Sequence, residues 1–295
     1  MSASRAAVVV LGAGTMGQGI AQVTATAGFT TRVFDAAPGK AAQAIESIGG
    51  YLEKLVAKGK ITAEVRSRAA ASLSAATDVA SACEGVELVI ESAPENMELK
   101  VQLLGQAVRA APAGALIGSN TSSLSLTELG ARLVAADRTV GLHFFNPPPV
   151  MELLEIVRGI GTSDATVERA LAFAAAIGKT PIVVRDFPGF ATSRLGVVLG
   201  AEAIRMLESG VASAADIDRA MELGYRHPMG PLKLTDLVGL DVRLAILDHL
   251  HKEVGEQFRA PALLRQMVRA GKLGKKTGEG FYVWKDGVAQ PPKGR

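Results

Sequence analysis

The first 185 residues alternate short apolar runs with longer stretches whose apolar positions recur every three or four residues. The run at 7–11 (AVVVL) reads as a buried strand. Residues 16–27 read as a helix closed by Gly28, where a left-handed cap is needed. A second strand is expected at 31–35, and Pro38 can open a long helix running to about residue 57. Further strand-like runs stand at 87–92 (ELVIES), 115–119, 139–143, 151–157 and 180–185, with helical stretches between them. Ser125-Leu-Thr-Glu128 has the spacing of a capping box and should open one of those helices. Short buried strands alternating with helices predict an α/β fold, a doubly wound parallel sheet of the Rossmann type.

The pattern changes after Asp186-Phe-Pro-Gly189, and from there to about residue 271 only helical periodicity is seen. Leu195, Val198, Leu199, Ala203 and Met206 are expected on the buried face of a helix that Gly210 ends. Ser213-Ala-Ala-Asp216 should open the next, with Gly224 as its stop, and further helices are expected at 240–253 and 262–270. The expected organisation is an α/β domain over 1–185 and an all-α domain over 186–295, with a loose tail from 290 on.

Composition narrows the class. At 48% hydrophobic and 21% charged residues the chain is globular rather than disordered, and with 4% aromatics its cores must be built from Ala, Val, Leu and Ile. Thirty-two basic against 29 acidic residues leave a net charge of +3, too small and dispersed to argue for a nucleic-acid surface. The single cysteine, Cys83, excludes an internal disulfide and a multi-cysteine metal site, and suits a reducing compartment. The uncharged stretch 6–31 is broken by Gly12, Gly14, Gly17 and Gly19 with Gln18 and Gln22, so it reads neither as a signal peptide nor as a membrane span. The expectation is a cytoplasmic protein that engages neither membrane nor nucleic acid.

The strongest local signal is Gly12-Ala-Gly14-Thr-Met-Gly17. G-x-G-x-x-G alone is a weak motif, but here a strand precedes it, a helix follows it, and Asp35 ends the next strand 18 residues past Gly17. Gly12 allows the tight turn, Gly14 lets a pyrophosphate approach backbone N–H groups at the helix N-terminus, and Gly17 lets helix and strand pack closely. Asp35 can accept hydrogen bonds from both ribose hydroxyls and would repel a 2′-phosphate. That favours NAD over NADP.

Polar groups also gather at three expected strand ends: Glu91, Ser92, Glu95, Asn96 and Lys100; then Ser119-Asn-Thr-Ser-Ser123; then His143-Phe-Phe-Asn146-Pro147. A doubly wound sheet binds ligands beyond the carboxyl ends of its strands, so these groups should converge. A lone His on an apolar strand is more often a satisfied core residue than a catalyst. Twelve residues on, however, Glu155 stands on a strand that could return beside the first after the stiff Asn146-Pro-Pro-Pro149 corner. A carboxylate on one ring nitrogen fixes the tautomer and raises the basicity of the other. A His–Glu pair beside a nicotinamide can remove the hydroxyl proton of a secondary alcohol as its hydride leaves. The other histidines form no metal-binding pattern, so no metal is expected.

Together these motifs resemble one family, the 3-hydroxyacyl-CoA dehydrogenases, including the 3-hydroxybutyryl-CoA dehydrogenases. The likeness runs through GAGTMGQGIA (12–21), SNTSSLS (119–125), HFFNPPPVMELLEIV (143–157), DFPGF (186–190), HPMGPLKLTDLVGLD (227–241) and GKKTGEGFY (274–282). It implies reversible oxidation of an (S)-3-hydroxyacyl-CoA, short-chain substrates being favoured, by a homodimer held through the helical domain. By that resemblance His143 is the catalytic base and Glu155 its partner. Ser122 contacts the substrate oxygen, and Asn146 belongs to the same loop. Gly12, Gly14, Thr15, Met16, Gly17 and Asp35 form the NAD site, with Glu95 and Lys100 as further cofactor contacts. Lys54, Lys58 and Lys60 are candidates for holding CoA, although a run of lysines is usually a solvated face.

One position departs from the family pattern. Where the family usually has Asn after the Pro-Gly-Phe turn, this chain has Ser193, which is assigned to the substrate pocket with one amide fewer. Other readings the resemblance leaves open are a 3-hydroxyadipyl-CoA dehydrogenase, an L-gulonate-type dehydrogenase and an NAD-binding structural protein.

Overall fold

The structure, a computed structural model, describes residues 5–291, so most of the tail expected from 290 on lies outside the described residues. It divides into two compact units, Met1–Phe187 and Pro188–Arg295. The first is built on an eight-stranded sheet of β1 (Arg5–Leu11), β2 (Phe29–Phe34), β3 (Leu73–Ala75), β4 (Leu88–Glu91), β5 (Leu116–Ser119), β6 (Thr139–Phe144), β7 (Leu153–Arg158) and β8 (Thr180–Arg185). Their spatial order is β3-β2-β1-β4-β5-β6-β7-β8. The first six run parallel, β7 turns back antiparallel to β6, and β8 is parallel to β7. In β1, Val8, Val9, Val10 and Leu11 are all fully buried. A strand covered on both faces has no solvent side and therefore reads as a continuous apolar run.

The strand order reverses between β1 and β4, which opens a crevice beyond their carboxyl ends. Two glycines shape its floor. Gly12 has φ +107°, and a Cβ there would overlap the Ser92 carbonyl after β4. A Cβ at Gly17 would overlap the Gly12 carbonyl oxygen, so the helix Thr15–Thr26 can approach β1 only without a side chain at that position.

Strand β3 has no counterpart in the sequence reading. It is a three-residue edge strand with Ser74 and Ala75 exposed, too short and too polar to show a period.

The second unit packs the helices Thr192–Glu208, Ala214–Arg219, Pro231–Val238, Leu240–Glu253 and Ala262–Arg269 around one apolar core. It ends in a two-stranded hairpin, β9 (Val283–Lys285) and β10 (Val288–Gln290), which the purely helical pattern did not announce. The buried face of the helix Thr192–Glu208 carries Val197, Gly200, Ala201, Ala203 and Ile204. Leu195, expected on that face, is 69% exposed. Small residues at 200 and 201 allow close helix approach, and this shifts the seam away from the larger side chains. Among the described residues, no helix is long and apolar enough to cross a membrane.

Candidate active site

A cavity of about 630 Å³ lies at the carboxyl ends of β1, β4, β5 and β6. The glycine loop forms one side of it. Gly14 caps the helix Thr15–Thr26 with extended backbone, and a Cβ at Gly14 would meet nothing within 4 Å. The first turn of that helix is therefore open to an anion, and its unpaired N–H groups and dipole favour one. Thr15 and Met16 line the cavity, whereas Gly17 lies behind it in the helix–strand contact.

Asp35 stands one residue past β2. Its Oδ2 accepts from the Ala13 N–H at 2.7 Å and its Oδ1 from the Ala37 N–H at 2.9 Å. Those two bonds aim the carboxylate at the cavity. Lys40 Nζ, a residue the sequence reading did not single out, lies 3.7 Å from Asp35 Oδ2 and also lines the cavity. Loop, open helix end and acidic ribose acceptor together fit a dinucleotide without a 2′-phosphate.

Opposite this side, β6 and β7 place His143 directly across from Glu155. The buried Glu155 Oε2 lies 2.7 Å from His143 Nδ1. With the carboxylate as acceptor, Nδ1 carries the proton, which makes Nε2 the acceptor nitrogen of the ring. The Phe145 ring packs at 4.6 Å from the imidazole centroid, and Asn146 follows on the cavity wall. Asn120 Oδ1 accepts from the Phe144 N–H at 2.8 Å, tying the loop after β5 to the end of β6.

The loop after β5 is gathered on one carboxylate. Glu95 Oε1 accepts from Thr121 Oγ1 at 2.7 Å, from the N–H groups of Ser122 and Ser123 at 2.9 and 3.1 Å, and from their hydroxyls at 3.3 and 3.0 Å. Glu95 Oε2 meets Lys100 Nζ at 3.3 Å. Lys100 is not on the cavity surface, contrary to the expectation of a direct cofactor contact. It is 1% exposed, and its ammonium is held by Glu91 Oε1 at 2.7 Å and the Ala93 carbonyl at 3.2 Å. The fully buried Glu91 also accepts from Ser119 Oγ at 2.5 Å. Burial works to raise the Glu95 carboxyl, but Lys100 and the donors of Thr121, Ser122 and Ser123 outweigh it and hold it below the usual range. Asn96 serves as a helix cap, its side chain accepting from the Leu99 N–H.

A second cavity of about 590 Å³ shares Thr15 and Asn146 with the first and is lined by Tyr51, Lys54 and the Pro147-Pro148-Pro149 corner. Lys58 caps the helix Lys40–Ala57 and lines neither cavity. Lys60 is likewise exposed and outside both. Ser193 belongs to the second unit, in the first turn of the helix Thr192–Glu208.

The comparisons with known proteins agree over the length of the chain. Residues 7–187 match the pattern described as "3-hydroxyacyl-CoA dehydrogenase, NAD binding domain", and residues 189–284 the one described as its C-terminal domain. A probable 3-hydroxybutyryl-CoA dehydrogenase of Bacillus subtilis is 40% identical over 95% of this chain and 97% of its own length. A 3-hydroxyadipyl-CoA dehydrogenase of Escherichia coli is 40% identical over 94% of this chain, which spans 59% of that protein. The crystal structure of an (S)-3-hydroxybutyryl-CoA dehydrogenase from Ralstonia eutropha superposes with a TM-score of 0.91 at 40% identity, covering 95% of this chain and 99% of that one.

Proposed function

The chain belongs to the 3-hydroxyacyl-CoA dehydrogenase family, and from that premise we propose how its residues carry out NAD-dependent oxidation of a short-chain (S)-3-hydroxyacyl-CoA to the 3-oxoacyl-CoA. The observation that carries the reading is the buried His143–Glu155 pair at the wall of a cavity whose other side is the glycine loop and Asp35. NAD supplies the hydride acceptor. The chain's own residues do the rest. His143 Nε2 takes the hydroxyl proton as the C–H bond breaks, and Glu155 stabilises the resulting imidazolium through Nδ1–H. Ser122, held by Glu95 through its N–H, contacts the substrate oxygen, and Asn146 helps orient it. Gly12, Gly14, Thr15, Met16 and Asp35 hold the dinucleotide, with Gly17 as the packing glycine behind them. Lys54 in the adjoining cavity meets the CoA phosphates. Lys58 takes a lesser part in that contact, and Ser193 is a further substrate-contact residue. A homodimer formed through the helical unit would cover its exposed Leu195, Leu223 and Tyr225. Light scattering on the purified chain reads that mass directly.

The test is NADH oxidation in the presence of acetoacetyl-CoA, set against L-gulonate with NAD. Rapid turnover of the thioester and none of the free acid is expected; the reverse would replace the CoA reading by the polyol-acid one.

Cofactor choice is the first prediction. The Asp35 carboxylate accepts from ribose hydroxyls and repels a 2′-phosphate, so kcat/KM with NAD should exceed that with NADP by about a hundredfold, or about 2.7 kcal/mol. Replacing Asp35 by Ser while keeping Lys40 should close most of that gap. Equal use of both cofactors by the unaltered enzyme would remove Asp35 from the ribose site.

Lys100 acts through Glu95 and is a positioning residue. Without its ammonium Glu95 loses the main influence holding its carboxyl down, so protonation there moves up in pH. A carboxylate with a lowered pKa holds its partners above its unfolded value and releases them as pH falls through the folded one. Lys100→Met should therefore lower kcat by roughly tenfold, the worth of a charged hydrogen bond, and the loss should grow as pH falls. Lys100→Arg should restore part of it. A pH-independent loss would mean the variant is merely less stable.

A further inference from the structure

The corner that follows β6 is short of hydrogen-bond donors. Pro147, Pro148 and Pro149 carry no backbone N–H, so between Asn146 and Val150 the chain presents carbonyls alone. The N–H groups of Val150 and Met151 both turn back to the Pro147 carbonyl, at 3.0 and 3.1 Å. The Pro148 and Met151 carbonyls accept from Lys179 Nζ instead, at 2.6 Å each. The place of that lysine is fixed on both sides. Gly178, at φ +70°, ends the helix Asp164–Ala176 in the left-handed conformation, and the Lys179 N–H bonds back to the Ala174 carbonyl at 2.9 Å. The next residue opens β8, where the Thr180 N–H donates to the Glu152 carbonyl at 2.9 Å. Burial draws the Lys179 ammonium below the ordinary lysine value, against the pull of the Glu152 carboxylate. The ammonium thus gives up part of its hydration for two loop carbonyls.

The opposite side of the corner rests on the helix Thr15–Thr26. A Cβ built at Gly19 would overlap the Pro148 ring, at 2.7 Å from Cδ and 2.8 Å from Cγ, so that ring occupies the gap left by the missing side chain. Glycine inside a helix is unfavourable by propensity, and here it admits one ring of the corner. The same helix begins at the glycine loop. The corner is therefore held between that helix and the ammonium of Lys179. It is also the partition between the two cavities: Asn146 lines both, and Pro147, Pro148 and Pro149 line the second. Only Phe144 and Phe145 separate Asn146 from His143, whose own place is fixed by Glu155.

We propose that Lys179 and Gly19 clamp the proline corner and so set where Asn146 stands relative to His143, which makes both of them positioning residues for the acyl-CoA substrate. The ammonium supplies the donors that three prolines lack, and the missing Cβ supplies the seat. Both act through Asn146. The effect on the substrate rests on the acyl-CoA reading above, whereas the clamp on the corner does not. A neutral side chain at position 179 would leave the Pro148 and Met151 carbonyls to water and let the corner shift. A misplacement of about 1 Å at such a wall can cost about a hundredfold in rate.

The experiment compares the full-length chain with Lys179→Met, Lys179→Arg, Gly19→Ala and Asn146→Ala, and with Lys179→Met combined with Asn146→Ala. Turnover of acetoacetyl-CoA with NADH is measured for each, together with ADP-ribose binding and hydrogen exchange over residues 144–153. Lys179→Met should lower kcat by about ten- to a hundredfold. Lys179→Arg should recover most of that loss, because a guanidinium also donates to two carbonyls. Gly19→Ala should lower kcat in the same way with the ammonium in place. In the Asn146→Ala background Lys179→Met should cost less than about threefold, since the residue it acts through is gone. ADP-ribose, which keeps the adenosine and pyrophosphate but not the nicotinamide, should bind every variant as it binds the parent. The amides of Val150 and Met151 should exchange about tenfold faster in Lys179→Met. Losses that add in full in the double variant would overturn the proposal, as would a kcat unchanged in both Lys179→Met and Gly19→Ala. Weakened ADP-ribose binding in step with kcat would also overturn it, by assigning Lys179 to general stability. A parent that turns over no CoA thioester would overturn the enzyme reading; faster exchange in Lys179→Met would then still uphold the clamp, and unchanged exchange would sink it as well. If Lys179→Met fails to fold, Gly19→Ala in the parental and Asn146→Ala backgrounds carries the same test.

Discussion

Replacing His143 by alanine should lower kcat by roughly 10²–10⁴, the usual worth of a positioned acid–base group. The substitution removes the one side chain in the cavity that is held by a buried carboxylate directly across the sheet. NAD binding, followed by quenching of NADH fluorescence, should be nearly unchanged, because the dinucleotide side of the cavity belongs to the glycine loop and Asp35. Glu155→Gln is the companion measurement. An amide oxygen can still accept from Nδ1–H and keep the ring oriented, but it offers no charge to a developing imidazolium. The loss should therefore be smaller than for His143→Ala and appear in kcat rather than KM. If His143→Ala retained more than about a tenth of the parental kcat, His143 would not be the base.

That pair was legible in the sequence because the chain itself brings it together. A polar residue on each of two apolar runs, joined by a proline corner, can meet across a hairpin-like return, and the β6–β7 register makes them direct neighbours. The glycine loop and Asp35 were legible for the same reason, as local geometry written in consecutive residues. The burial of Lys100 was not. A lysine in the first turns of an amphipathic helix is ordinarily solvated, and only the fold shows that Glu91 lies below it on an interior strand. Lys40 was equally silent, since its place beside Asp35 depends on how the segment after β2 turns into the next helix. Arg243 sits in a helix with charged residues before and after it, so its inward direction shows only once the seam of Leu240, Leu247 and Leu250 is placed. Leu195 fails in the opposite sense. Its size suggested burial, and glycine and alanine took the contact instead.

The motifs of the second unit that carry no chemistry have a structural explanation, and it supports the largest stability effect expected in this chain. Asp236 is fully buried, and its carboxylate accepts from Phe281 N–H at 2.8 Å, Tyr282 N–H at 2.9 Å and Trp284 Nε1–H at 2.9 Å. Gly274 and Gly280 leave it room, since a Cβ at either would overlap Asp236 atoms. Asp218 does the same for the adjoining segment, accepting from the N–H groups of Leu232 and Lys233 and from the Tyr282 hydroxyl. These two carboxylates pin 227–241 and 274–284 to one core, which accounts for glycines and aromatics that a reading for catalysis leaves unexplained. Asp236→Ala would strand three donors, two of them buried backbone groups, at about 1–3 kcal/mol each before relaxation. A net loss of about 3–5 kcal/mol is a large part of the stability of a domain this size. At several degrees per kcal/mol the second unit should melt about 15–30 °C lower. Trp284 is the chain's single tryptophan and a partner in the bond, so its fluorescence reports that unit directly. Asp236→Asn should fall between, because one amide oxygen replaces two acceptors and its NH₂ faces a donor. Burial raises the Asp236 carboxyl above the ordinary aspartate range, against the pull of Trp284, Phe281 and Tyr282. Its contribution to stability is then full below the unfolded value and is lost as pH rises through the folded one. The stability difference between the parent and Asp236→Asn should accordingly shrink as pH rises through that range, and a difference constant with pH would mean the acid is not the group being titrated.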